Sequence, residues 1–266
     1  MQLQFFVRHH AQGLTLTSSG RRMFNEAKLF LKQGEELYAI ASELNNEIRG
    51  NLSLGCMITL APMLVPQLVN AFTSENPGVT LNTSEGGHED MLKMLRQVDI
   101  DVAITYDLPI PDDMNFESLA DLAPYVLVSS QHVLAKKSAL SLKELADEPM
   151  ILLDLPYSAQ YFNALFESKS LTPKVQARSR NQEVVRAMVA NGHGYTIANV
   201  RPKSLTALDG RKLKAIRLTG RHKPVKIGIM TLNHSRKPLI LTAFEAACRR
   251  LINTRKVPGM FAEIGK

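Results

Sequence analysis

A chain of 266 residues has room for one large or two medium domains, and 45% hydrophobic with 21% charged residues is ordinary for a soluble globular protein. It holds no continuous apolar run of about 18 residues, and its N-terminus lacks the basic-then-apolar order of a secretory leader. A membrane partner is therefore not expected, and a cytoplasmic location is. The net charge of +7 is unevenly spread: residues 51–122 carry 2 basic against 11 acidic side chains, and residues 123–225 carry 16 against 7. Such a split calls for an architectural or a partner-based reason.

The chain opens with Phe5–Thr17, read as strand, turn, strand, with "HHAQG" turning and "LTLT" alternating. Thr17 is a good helix N-cap. A helix follows over about Ser18–Ile48, with Met23, Ala27, Phe30, Gly34, Leu37, Ala41, Leu44 and Ile48 repeating at spacings of 4 and 3. That heptad seam implies a coiled coil or a long helical partner. Gly50 is expected just past its end, as a C′ residue.

From there strands and helices alternate. The sequence predicts strand Leu52–Cys56, helix Leu60–Ser74, strand Val79–Ser84, helix His88–Gln97 and strand Asp101–Thr105. Strands near Phe116–Leu119 and Tyr125–Ser129 come next, then helix Leu142–Ala146, strand Met150–Leu153, helix Tyr157–Ser168 and strand Lys174–Ser179. Helix Asn181–Asn191, strand Tyr195–Ala198, strands Leu213–Leu218 and Val225–Leu232, and helix Pro238–Asn253 complete the order. Residues 254–266 read as a loose basic tail. Alternation of this kind predicts parallel sheets covered by helices. Cys56 and Cys248 fall in a predicted strand and a predicted helix, and are expected to be buried free thiols.

Several short motifs, in order, carry a resemblance. They are Gly50-x-Leu52-x-Leu54-Gly55, Ala61-Pro62 with Val65-Pro66, Pro77-Gly78-Val79, Glu85-Gly86 and Asp101-Val102-Ala103-Ile104. Upstream stand Phe6-x-Arg8 and Leu14-Thr15-Leu16-Thr17 with Gly20, and downstream Gly192-x-Gly194. Over residues 5–253 the chain resembles the LysR-type transcriptional regulators. It departs from that pattern at Val98, where the family usually has glycine. A second departure is that Met1 falls near the end of the family's winged helix-turn-helix. The recognition helix is then expected to be missing, with negligible operator-specific DNA binding by this chain alone.

The resemblance implies an α/β fold: a two-subdomain, periplasmic-binding-protein-like effector domain, preceded by a remnant wing hairpin and a long linker helix. In this numbering the wing is 1–17, the linker 18–50 and the effector domain 51–253, with subdomain I over 51–122 and 226–253 and subdomain II over 123–225. A small effector would lie between the subdomains, where strands end and helices begin. Thr59 would cap the helix starting at Leu60. Glu85, Gly86, Gly87 and His88 form a glycine-rich loop whose N–H groups suit an anion nest. Thr105 and Tyr106 follow a strand, Tyr157 and Ser158 open one helix, Asn181 and Gln182 open another, and Asn199, Val200 and Arg201 follow the strand after "GHG". Because most of these are donors, a carboxylate-bearing metabolite is the expected ligand.

The resemblance further implies a homodimer or tetramer through linker and effector domain, with the acidic subdomain of one copy against the basic subdomain of the next. Arg8, Arg21 and Arg22 would touch DNA phosphate, which positions without specifying sequence. No cofactor or metal is expected: Glu85, His88, Glu89 and Asp90 include one histidine only, and adjacent His9 and His10 point to opposite faces of a strand. No GxSxG, GxxxxGK[ST] or HExxH motif occurs, so an enzyme is not expected. A solute-binding protein of the same fold is the alternative, and the heptad helix argues against it.

Overall fold

The computed structural model describes residues 3–9, 13–43, 48–233 and 237–261. In chain order the elements are β1 (Phe6–His9), β2 (Gly13–Leu16), α1 (Ser18–Glu43), β3 (Arg49–Met57), α2 (Ala61–Glu75), β4 (Gly78–Gly86), α3 (His88–Arg96), β5 (Val102–Tyr106), β6 (Met114–Leu122) and β7 (Tyr125–Ser129). After a 3-10 turn at Val133–Lys136 come β8 (Ala139–Leu140), α4 (Leu142–Leu145), β9 (Pro149–Leu153), α5 (Pro156–Glu167), β10 (Lys174–Ser179), α6 (Gln182–Ala190), β11 (Thr196–Ala198), β12 (Leu213–Leu218), β13 (Val225–Leu232) and α7 (Leu239–Leu251).

The hairpin β1–β2 leans on the start of α1. Thr17 N–H donates to Phe5 O at 3.0 Å, and Thr17 Oγ1 accepts from Gly20 N–H at 2.9 Å as the helix cap. Gly20 has a plain reason to be glycine: a Cβ there would lie 1.9 Å from Phe5 O. On the expected heptad seam, Met23, Ala27 and Phe30 are exposed with no cover among the described residues, and the side chains of Leu37 and Ala41 lie outside them. Leu44 lies outside the described residues, whereas Ile48 packs on the first core. Gly50 is not a helix terminus as expected. It sits at the start of β3, with φ +121°.

Two separate apolar cores define two subdomains. The first holds the sheet β4-β3-β5-β13-β6, flanked by α2, α3 and α7. Strands β3, β4 and β5 run parallel through helical crossovers, while β13 returns antiparallel between β5 and β6. Every residue of β5 is buried, which is why its sequence does not alternate and carries a polar side chain only at Thr105 and the Tyr106 hydroxyl. The second subdomain holds the sheet β11-β7-β12-β8 and the parallel pair β10-β9, which meet at a bridge between Met150 and Tyr195. Gly194 makes that junction possible. Its φ is +143°, and a Cβ would stand 2.1 Å from Pro149 O.

Two connections cross between the subdomains, β6 to β7 and β12 to β13. Side chains brace both. Asn199 Nδ2 donates to Leu122 O at 2.9 Å, and Tyr161 OH donates to Lys223 O at 2.7 Å. The expected loose tail is packed as far as Phe261. Lys203 N–H donates to Gly259 O, Phe261 N–H donates to Arg201 O, and Met260 is buried in the first core. Residues 253–261 thus tie the second subdomain to the first.

The Val98 turn keeps the shape that glycine usually gives. Val98 N–H donates to Leu95 O and Asp99 N–H to Met94 O, the pair of bonds that closes a helix with a left-handed residue. Val98 adopts φ +56°, an uncommon conformation for a β-branched side chain. Asp99 beside it is ion-paired with Lys28 of α1.

Candidate functional site

A cleft of about 580 Å³ opens between the subdomains, within the range of small-molecule sites. One wall comes from the end of β3, the start of α3 and the residues after β5; the other comes from the β9–α5 corner, α6 and the residues around β11. Leu127, Leu153, Leu155, Phe162 and Val185 give the second wall an apolar floor. Acidic Glu89, Asp90 and Asp107 stand on the first wall, basic Arg180 and Arg186 on the second, and Lys223 at the crossover.

His88 and Tyr157 face each other across this gap, with ring centroids 5.2 Å apart and planes at 81°. His88 Nε2 lies 3.1 Å from Pro109 O, and a carbonyl only accepts, so Nε2 carries the proton. Nδ1 is then a buried acceptor without a partner among the described residues. Burial holds the His88 pKa below its ordinary 6.5, against the opposing effects of the Pro109 carbonyl and Glu89. Thr59 and Tyr106 are joined at 2.8 Å, and burial pushes the Tyr106 phenol well above its usual range.

Arg186 is a buried cation in the opposite wall, only 4% exposed. Its Nη2 donates to Ser204 O at 2.9 Å and Thr206 O at 3.3 Å, and its Nε lies 3.3 Å from Glu183 Oε2. Nη1 has no hydrogen-bond partner among the described residues.

A family model described as "LysR substrate binding domain" matches residues 45–252. The chain belongs to the LysR substrate-binding domain family. The HTH-type transcriptional regulator CysB of Haemophilus influenzae is 25% identical over 213 residues, 78% of this chain and 64% of that protein. The LysR domain described here thus belongs to a chain spanning less than two thirds of that relative's length. HinK, a LysR family transcriptional regulator from Pseudomonas aeruginosa, matches with a TM-score of 0.75 at 29% identity, covering 90% of this chain and 82% of HinK. The PA01 protein from the same organism matches with a TM-score of 0.75 at 30% identity, over 88% of this chain and 81% of its own. Such agreement establishes the LysR effector-domain fold expected from the motifs.

The LysR cleft gathers most of the residues expected there, though not all. Thr59, Gly86, Gly87, His88, Tyr106, Tyr157, Ser158, Gln182, Asn199 and Val200 line it. Leu60 does not: it is fully buried in the first core and holds the N-cap position of α2, which has no side-chain cap, so Thr59 is not that cap. Glu85 is exposed on β4 outside the lining, and Thr105 is fully buried within β5. Asn181 caps α6 through Oδ1, accepting from Glu183 N–H at 2.9 Å. Arg201 lies over the Tyr125 and Phe261 rings, outside the lining.

The expected anion nest is also corrected. Strand β4 continues through Gly86, and Gly87 N–H is taken by Asp90 Oδ2 at 2.8 Å. The loop supplies its own carboxylate there. Asn199, which lines the cleft, gives an amide N–H to Leu122 O in the crossover. Sequence reasoning missed Arg186, Arg180, Lys223, Tyr125 and Thr196, all of which line the cleft. Arg186 had a legible sign: it is the one cation among Val185, Val189 and Ala190 on the buried face of α6.

Burial pushes the Cys56 thiol up to about 12 and the Cys248 thiol higher still, and both are free. Neither is a nucleophile at neutral pH. No group of three or more His, Cys, Asp and Glu side chains among the described residues is placed to hold a metal ion. No described helix is long and apolar enough to cross a membrane.

Proposed function

We propose that this chain is the effector-sensing and dimerising portion of a LysR-type transcriptional regulator, binding a small carboxylate-bearing metabolite between its subdomains. The observation that carries the reading is the cleft itself, walled by both subdomains and spanned by two braced crossovers. A ligand touching both walls favours one relative placement of the subdomains, and can shift an equilibrium only by that differential affinity. The linker helix α1, ion-paired to the first subdomain through Lys28 and Asp99, is the route by which that shift reaches DNA-binding heads. Exposed Arg8, Arg21 and Arg22 lie on β1 and the first turn of α1, where they meet phosphate rather than base edges.

A thermal-shift screen of small carboxylates and amino acids tests this. A hit should raise the melting temperature and should reduce the radius of gyration in solution scattering. If a broad screen gives no stabilising compound, the effector reading falls. The exposed stripe of α1 also supports a regulator over a free solute-binding protein, which has no use for an apolar helix ahead of its first domain.

A further inference from the structure

Arg186 has more hydrogen-bonding capacity than the protein uses. A guanidinium offers five N–H donors. Two on Nη2 reach the carbonyls of Ser204 and Thr206, while Nε lies in ion-pair range of Glu183 at 3.3 Å without a hydrogen bond among the described residues. Both on Nη1 are buried without an acceptor among the described residues, in a side chain that lines the cleft. A buried cation stays in place when its charge and its donors are matched. The matching is incomplete here, because Glu183 is itself 40% exposed and meets only the Nε side.

We propose that Arg186 Nη1 is the docking point for a single anionic oxygen of the effector, and that the effector is a small monoacid with an aryl or branched apolar body. This deepens the effector reading above and rests on it. The apolar body follows from Leu127, Leu153, Phe162 and Val185, which line the same cleft as Arg186. One negative charge, rather than two or three, follows from the opposite wall. A second anionic group reaching across would face Glu89, Asp90 and Asp107, with like-charge repulsion in a partly dry cleft. Exposed Arg180 and Lys223 on the same lining draw an anion toward the opening without holding it in place.

The test is calorimetric titration of the whole chain with three probes that share one ring: phenylacetate, neutral phenylacetamide and dianionic phenylmalonate. Phenylacetate should bind about tenfold or more tighter than either of the others, the size of a charge-assisted hydrogen bond. R186Q, checked for folding by circular dichroism, should abolish that preference. E183Q, which frees the guanidinium of its internal carboxylate, should strengthen phenylacetate and leave phenylacetamide unchanged, and it serves if R186Q does not fold. Equal binding of acid and amide overturns the anion subsite while leaving the cleft an effector site. So does an E183Q variant whose acid-to-amide ratio does not move. If none of the three probes binds, the apolar monoacid is wrong, and the effector reading is then decided separately by the wider metabolite screen.

Discussion

Single residues in this chain matter most where they break a local rule. Val98 holds a left-handed helix terminus in which glycine would be unstrained. Val98→Gly removes that strain but adds freedom to the unfolded chain and loses a half-buried side chain, so the net gain should be about 0.5–1 kcal/mol. A rise in the urea midpoint at unchanged slope would bear this out, and a fall would mean the turn is relaxed with valine. Thr59 presents the opposite case. Replacing it with valine removes the partner of the buried Tyr106 hydroxyl and should destabilise by about 1–3 kcal/mol. The same residues mark the limit of sequence reading. Gly86-Gly87 invites an anion, yet Asp90, three residues after Gly87, already supplies one. That bond depends on where a side chain turns, which spacing alone leaves open. Arg186 carried a sign in its apolar surroundings, but only the fold brings it to the carbonyls of Ser204 and Thr206 and into the lining of the cleft.

At the scale of elements, the strand–helix alternation was legible because each unit is either periodic, as α6 and β10 are, or opens on a continuous apolar run, as β5 does with Val102-Ala103-Ile104. The segment after α7 was not. "NTRKVPGMF" has no period, and its burial comes from partners far away in sequence, Met63 on one side and Arg201 on the other. Met260→Ala should therefore cost about 2 kcal/mol or more in chemical denaturation, an effect absent from a true tail. The contact between α3 and α5 has its own pH signature. His88 binds a proton less readily in the folded protein than in the unfolded chain. Between its ordinary pKa of 6.5 and its lowered one the unfolded chain holds more protons, so stability falls as pH drops through that window. Melting temperatures at pH 7.5 and pH 5.5 should differ in that sense, with a smaller difference in His88→Gln. An equal difference in the variant would locate the pH response elsewhere.

Across the whole molecule, the charge split is partly resolved by the fold. Arg249 and Arg250 of α7 reach Glu117 and Glu75, so late basic residues neutralise early acidic ones within one subdomain. The second subdomain keeps its excess of 16 basic over 7 acidic residues across 123–225. We propose that this remainder sets the register of an antiparallel dimer, acidic subdomain against basic. Sedimentation velocity should then show a dimer fraction that drops between low and high salt. A fraction indifferent to salt would leave the exposed stripe of α1 as the sole basis for pairing. The position of β13 bears on a different question, that of time. Among the described strands, β6 pairs only with β13, more than a hundred residues later in the chain, whereas the second subdomain is contiguous between them. A nascent chain can close the second subdomain while the first still lacks the strand that joins β6 to β5. The first subdomain is then the last to gain its cooperativity during synthesis, and β6 is the edge that most needs shielding until β13 arrives.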